Sequence, residues 1–179
     1  MKDADDVVLV DEAGRAVGTA PKHSVHNTET VLHLAFSCYV FDSEDRLLVT
    51  RRALGKQTWP GVWTNSFCGH PRPGEALADA VSRRAEHELG LELSEVSLAL
   101  PDFRYRATDA SGIVENEVCP VFTARAKGDP ECNPLEAVDA RWVSPAGVLA
   151  AIDATPWAFS PWFVLQAPQL DFAASAQHV

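Results

Sequence analysis

Glu115 and Glu117 stand two apart in a run of strand-forming residues from Ile113 to Ala126. In a β-strand both carboxylates would face the same way, together with Ile113, Cys119 and Val121. Two carboxylates on an otherwise apolar face repel each other and resist burial. Either that strand end is solvated, or a cation lies between them. Ligands for a cation are at hand. His26 and His33 flank the start of a long apolar run, and His70 follows Cys68 and Gly69. A lone histidine is more often a satisfied core or surface residue than a ligand. Three of them beside strand and loop ends, with paired glutamates, fit a divalent transition metal such as Mn, Zn or Fe. Cys68 reads in two ways. It is a small buried hydrophobe, or, with a cation nearby, a usable base or nucleophile.

Arg84 and Glu88 are four apart and share a helix face with Leu77 and Val81, which argues against a simple surface pair. Lys22 precedes His26, Arg51 and Arg52 end a strand, and Lys56 lies in the next loop. Each alone is an ordinary solvated charge; gathered in one pocket they would grip a phosphate chain. The segment from Asp153 to Trp162 is dense in aromatics. Most of these must pack the core, but an indole face can also wall a hydrocarbon and stabilise a passing cation.

These residues need a scaffold of strands with a few helices. Val7–Val10, Leu32–Phe41, Arg46–Thr50, Val96–Tyr105, Ile113–Ala126 and Val138–Val143 read as strands, and Trp63–Cys68 as a short segment. Glu75–Leu89 has helical spacing and stops at Gly90. Ser144–Ile152 and Ser160–Gln166 read as short helices, each opened by a serine cap and a proline. This pattern predicts one α/β or α+β domain over residues 1–179, a mixed sheet between helices, with 173–179 as a mobile tail. The formal net charge of -10 argues against nucleic acid or a membrane surface as partner. No apolar run spans a bilayer and the acidic start is no signal peptide, so a cytoplasmic location with four free thiols is expected.

The stretch from Gly69 to Leu91 resembles a Nudix box, through Gly69, Glu75, Arg83, Ala85, Glu88, Gly90 and Leu91. Arg84 and His87 stand where that pattern has glutamates, which puts hydrolysis in doubt and leaves the fold intact. From about Val7 to Ala167 the chain is similar to the type 1 isopentenyl-diphosphate isomerases, a family with the Nudix fold. The similarity is carried by Leu32–Phe36 (LHLAF), Trp59–Asn65 (WPGVWTN), Cys68–Pro71 (CGHP), Phe103–Ala107 (FRYRA), Glu115–Glu117 (ENE) and Pro156–Trp162 (PWAFSPW).

The resemblance implies roles. His26, His33, His70, Glu115 and Glu117 would bind one Mn²⁺ or a similar ion (Zn²⁺, Fe²⁺, Mg²⁺). Cys68 and Glu117 would be the catalytic pair, with Tyr105 assisting Glu117. Glu88 and the Cys68 carbonyl would hold a Mg²⁺ that also touches the diphosphate. Lys22, Arg52, Lys56 and Arg84 would contact the diphosphate, and Trp162 would face the hydrocarbon. The expected activity is interconversion of isopentenyl and dimethylallyl diphosphate for isoprenoid synthesis, by a monomer acting on a small molecule. A Nudix pyrophosphohydrolase and a catalytically dead metal-binding Nudix domain are the rival expectations.

Overall fold

The computed structural model describes residues 6–172; the expected tail, 173–179, lies outside the described residues. In chain order the elements are β1 (Asp6–Val10), β2 (Ala16–Pro21), α1 (Lys22–Val25), β3 (His33–Leu34), β4 (Phe36–Phe41), β5 (Leu47–Arg52), β6 (Trp63–Thr64), β7 (Phe67–Gly69) and α2 (Leu77–Leu89). Then follow β8 (Glu92–Leu100), β9 (Arg104–Thr108), β10 (Val114–Val118), β11 (Val121–Lys127), β12 (Ala137–Val143), α3 (Pro145–Ala154) and α4 (Pro161–Gln166).

The fold is α+β, and its strands divide into two mixed sheets. One runs β2-β1-β3-β10-β9; the other runs β12-β5-β4-β11-β8, with β6 on β5 and β7 on β4. Two apolar runs that read as single strands each cross from one sheet to the other. The first breaks at Ala35, between β3 and β4. The second breaks at Cys119-Pro120, between β10 and β11, where proline has no N–H for a ladder. β3 pairs with β10 and β4 with β11, both in parallel. The two crossing strands therefore change sheets side by side, and the site described below sits at that seam. The run from Val96 to Tyr105 is likewise split into β8 and β9 by a turn.

α2 begins at Leu77 rather than Glu75. Gly74 lies in the left-handed region (φ 82°), and Glu75 is spent on the turn before the helix, bonded to the Arg72 amide and to Arg83. Gly90 ends it with φ 60°, a conformation glycine adopts without penalty. α2 buries Ala80, Val81, Ala85 and Leu89 against Phe36, Val40, Leu48 and Phe67. Val81 and Leu89 contribute about 1.5–3 kcal/mol each by leaving water. Ser144 caps α3 as expected, accepting from the Gly147 amide. Ser160 does not cap α4; its hydroxyl bonds that of Thr64 instead, which fixes α4 to the β6 region. The second core, around Tyr39, Phe41, Tyr105, Trp162 and Phe163, lies beneath α3 and α4. All four cysteines are free thiols. Among the described residues no helix is long and apolar enough to cross a membrane.

Candidate active site

Strand register assembles the acidic half of the site. Glu117 on β10 sits opposite His33 on β3 and opposite Tyr105 on β9. A tyrosine, a carboxylate and an imidazole thus form one cross-strand row, at the spacing where opposite side chains touch. Tyr105 Oη donates to Glu117 Oε2 at 2.9 Å. The other oxygen, Oε1, is the meeting point of the histidines: His70 Nε2 lies at 3.1 Å, His33 Nε2 at 3.4 Å and His26 Nε2 at 3.9 Å. His33 Nδ1 donates to the Val31 carbonyl at 2.9 Å. That bond puts the proton of a neutral ring on Nδ1 and turns a bare Nε2 toward the carboxylate.

These donors fit a divalent cation. His26, His33, His70 and Glu117 each offer a ligand atom, all within 4.8 Å of one another. His26 Nε2, His33 Nε2, His70 Nδ1 and Glu115 Oε2 are buried without a hydrogen-bond partner. His26 Nε2 and Glu115 Oε2 approach to 2.9 Å, yet neither makes an aligned bond. Four buried polar atoms without a partner, set around two carboxylates, are what a shared cation would satisfy. The carboxylates and imidazoles of the cluster also shift one another's charge. Burial works against a charged His26, but Glu115 and Glu117 outweigh it and lift the imidazole to about 9. Burial raises Glu117, but contacts with His26, His33 and His70 hold it well below the usual carboxylate range. Burial pushes His70 down to about 4. Glu115 stands at the edge of the cluster, joined to it through His26.

Cys68 reaches the same place from the other sheet. It sits in β7 opposite Ser37 of β4, with Gly69 opposite Phe36. Only glycine fits at position 69, because a Cβ there would lie 2.8 Å from both Phe36 Cζ and Arg84 Cγ. Cys68 Sγ contacts Ser37 Oγ at 3.3 Å and Asn65 Oδ1 at 3.4 Å. Burial pushes the thiol up to about 12, against the pull of the Ser37 contact. The Asn65 amide donates to the Cys38 and Phe67 carbonyls, which leaves Oδ1 as a common acceptor for Cys68 and for Trp162 Nε1 at 3.0 Å.

The cationic residues gather at the same hollow. Arg84 and Glu88 lie on the buried face of α2. Arg84 Nε donates to Glu88 Oε1 at 2.9 Å, and its Nη2 bonds both Glu88 and Glu136. Glu136 also takes Lys56, so it is a counter-ion for two of the four expected diphosphate contacts; no sequence signal marked it out. Burial and the nearby Arg84 lower Lys22. Arg52 differs from the other cations. Its Nε and Nη2 are given to the Thr58 and Trp59 carbonyls, and its guanidinium lies 5.0 Å over the Trp162 ring. His87 is half-exposed beside Glu136.

A cavity of about 380 Å³ is lined by Lys22, His26, Arg52, Lys56, Cys68, His70, Arg84, Tyr105, Glu115, Glu117 and Trp162. Of the expected site residues, His33 lies fully buried behind this wall, and Glu88 stands behind Arg84. The cavity has a cationic end at Lys22, Lys56 and Arg84 and an aromatic end at Tyr105 and Trp162. A larger hollow, about 730 Å³ between β8, β11 and the 169–171 turn, brings no histidine or cysteine together. The sequence reading missed Asn65, Ser37, Gln166 and Thr58. Two of them carried a signal: Asn65 closes the Trp59–Asn65 motif, and Gln166 lies one helical turn beyond Trp162; the Gln166 amide donates to Ser37 Oγ at 3.0 Å and accepts from Tyr39.

A NUDIX-domain family model matches residues 31–163. An isopentenyl-diphosphate Delta-isomerase of Agromyces mediolanus is 66% identical over 169 residues, covering 94% of this chain and 82% of that protein. The protein of the same name from Clavibacter michiganensis is 62% identical, with 92% and 84% covered. That of Escherichia coli is 53% identical, with 97% and 98% covered. Among solved structures, the Deinococcus radiodurans protein DR0079 superposes with a TM-score of 0.71 at 22% identity, over 92% of this chain and 98% of that one. A MutT NUDIX hydrolase from Burkholderia pseudomallei gives 0.60 at 22% identity, over 78% and 98%. At such low identity these two structures speak for the fold alone.

Proposed function

We propose a mechanism from one premise: this chain belongs to the isopentenyl-diphosphate Delta-isomerase family and carries a NUDIX domain. It interconverts isopentenyl diphosphate and dimethylallyl diphosphate by moving one proton on and one proton off the five-carbon chain. The observation that carries this reading is that Cys68 and Glu117 open onto one cavity from strands of two different sheets. A double-bond shift needs an acid and a base at separate carbons, and the two sheets supply one each.

Addition of a proton to the terminal alkene carbon leaves a tertiary carbocation. Removal of a proton from the carbon on the other side of it places the new double bond, with no net change in oxidation state. Water would trap the cation, so a largely enclosed aromatic end is required. Trp162, only 3% exposed, offers its ring there, and an indole face stabilises a cation by about 0.5–2 kcal/mol. Oε2, the Glu117 oxygen that accepts from Tyr105, is the one open to proton exchange with carbon, since Oε1 faces the histidines. By microscopic reversibility Cys68 and Glu117 exchange the roles of acid and base when the reaction runs backward.

His26, His33, His70 and Glu117, with Glu115 at the edge, are the residues that would hold Mn²⁺, Zn²⁺, Fe²⁺ or Mg²⁺. Such an ion would supply the positive charge that polarises Glu117. We assign Glu88, which is ion-paired with Arg84, and the Cys68 carbonyl as the groups that would hold a Mg²⁺ arriving with the diphosphate. Lys22, Arg52, Lys56 and Arg84 bind the diphosphate, and Arg52 also stiffens the cavity wall through the Thr58 and Trp59 carbonyls.

Product analysis after incubation with isopentenyl diphosphate and Mg²⁺ tests the reading. Dimethylallyl diphosphate is the expected product, with no phosphate release. Faster release of phosphate or pyrophosphate from nucleotide substrates would hand the chain to the NUDIX hydrolases instead. Arg84 gives a second test. An arginine in the NUDIX helix repels extra Mg²⁺ and attracts diphosphate. Hydrogen bonds to charged groups contribute about 1.5–3 kcal/mol, so Arg84→Gln is expected to raise KM about tenfold to a hundredfold, with a smaller fall in kcat and no hydrolysis. Arg84→Lys keeps a cation between Glu88 and Glu136 and serves as the folding control. Steady-state kinetics with phosphate detection decides; an unchanged KM in both variants removes Arg84 from substrate binding.

A further inference from the structure

Glu115 differs from the other acidic residue of the cluster in how it is held. Its Oε2 lies 2.9 Å from His26 Nε2 with no aligned bond, and its Oε1 accepts from the Thr58 hydroxyl at 2.6 Å. Thr58 is buried (3% exposed) in the loop between β5 and β6. Its hydroxyl has little freedom. Arg52 Nη2 approaches Thr58 Oγ1 at 3.4 Å, so the oxygen faces a donor on that side and its own proton is left for Glu115. The backbone beneath is pinned as well. Arg52 donates to the Thr58 carbonyl at 2.7 Å and to the Trp59 carbonyl at 3.1 Å, and the Trp59 amide donates to Asp109 Oδ2 at 2.8 Å. Trp59 itself is held in the left-handed region, φ 41°, a conformation that persists only where surrounding contacts enforce it.

We propose that Thr58 is a positioning residue for the metal centre: by fixing one oxygen of Glu115 it aims the other at the ion and makes Glu115 a fifth ligand beside His26, His33, His70 and Glu117. The proposal rests on the metal reading above. A carboxylate at the edge of a ligand set can swing about its last torsion, which is broad and two-fold. Without the hydroxyl, Oε1 and Oε2 would be equivalent and Glu115 would spend part of its time turned from the ion. Outer partners that hold a ligand in this way typically change metal affinity by about 10–100-fold when removed. The link reaches further through Arg52, which lies over Trp162, so one loop residue ties the acidic half of the cavity to its aromatic wall. Because Arg52 is bound to backbone carbonyls, a side-chain change at Thr58 leaves that half of the link in place.

The test uses Thr58→Val, which keeps the shape and drops the hydroxyl, and Thr58→Ser, which keeps the hydroxyl. Full-length protein is stripped with chelator and titrated with Mn²⁺ alone, and affinity is read by competition with a chelating dye. The Val variant is expected to bind Mn²⁺ about tenfold more weakly than wild type, and Ser to retain wild-type affinity. Isomerase turnover of the Val variant should return as Mn²⁺ is raised, with KM for isopentenyl diphosphate unchanged. A residue that only stabilised the loop would lower the melting temperature and leave Mn²⁺ affinity where it was. Equal affinity in Val and wild type, or equal loss in Val and Ser, overturns the proposal. If Val fails to fold by circular dichroism, Thr58→Ala is read by the same criteria. Wild-type protein that takes up no Mn²⁺ overturns the metal reading itself, and this inference with it.

Discussion

Cys68→Ala is expected to fold like wild type and to lose about a thousandfold or more in kcat. The two halves of that expectation have different origins. The sulfur's polar contacts are weak ones, to Ser37 and Asn65, and neither neighbour depends on them. Ser37 is also held by Gln166, and Asn65 by four further hydrogen bonds, through Thr64, Cys38, Phe67 and Trp162. Removing one sulfur from this setting costs about 1 kcal/mol, a shift of about 2–4 °C in Tm for a chain of this size. Catalysis is another matter. Positioned acid or base groups contribute about 10²–10⁴-fold, and the one other ionisable group beside β7 in the cavity lining, His70, is committed to the His/Glu cluster. Ser37 and Asn65 are far too weak as acids or bases at neutral pH. A thousandfold loss corresponds to about 4 kcal/mol of barrier. Circular dichroism with an isomerase assay measures both halves. Activity within about tenfold of wild type would remove Cys68 from the mechanism. Cys132→Ala, a change in a half-buried thiol by the C-terminal end of α2 and outside the cavity lining, should leave kcat intact.

The chemistry was more legible in the sequence than the architecture was. Histidine, cysteine and glutamate have narrow uses, so His26, His33, His70, Cys68 and the Glu115–Glu117 pair stand out as candidates by type and spacing, while their separate roles come from the family resemblance. Their meeting point was not legible, because it depends on two strands changing sheets together. Pro120 marks one of those breaks; Ala35, a residue at home in any element, marks the other and gives no signal. Arg84 and Glu88 were readable as a pair by their four-residue spacing, and their burial followed from sharing a face with Val81. Glu136 was invisible for the opposite reason. It lies after β11, outside any motif, and reaches Lys56 and Arg84 only because β12 docks on β5, with Ala137 opposite Arg52. The roles of Thr58 and Asn65 were also not legible. Each reaches into the site by a hydrogen bond to a partner, Glu115 or Trp162, that is fifty or more residues away. Local pattern can announce a ligand or a helix face. It cannot announce the neutral residue that aims them.

Glu117→Gln should be the most damaging single change, because one carboxylate serves two separate tasks through its two oxygens. Oε1 faces His26, His33 and His70; Oε2 takes the Tyr105 hydroxyl. An amide of the same shape removes the negative charge from the first and the exchangeable proton from the second. Loss of an anionic ligand weakens the metal centre, and that part of the defect can be offset by mass action with excess ion. Loss of the proton carrier cannot, since an amide neither gives nor takes a proton at neutral pH. We therefore expect turnover to fall by about 10⁴-fold or more, at the upper end of what one acid–base group supplies, and to stay down at saturating Mn²⁺. Glu115→Gln provides the contrast. Glu115 stands at the edge of the cluster with one oxygen bound by Thr58, so its loss should weaken Mn²⁺ and leave kcat largely recoverable with excess ion. Elemental analysis after gentle purification gives metal content, and kinetics across a Mn²⁺ series gives the recoverable fraction. Full recovery of Glu117→Gln at high Mn²⁺ would confine Glu117 to holding the ion, and the proton would have to be carried by another group, with Tyr105 the nearest.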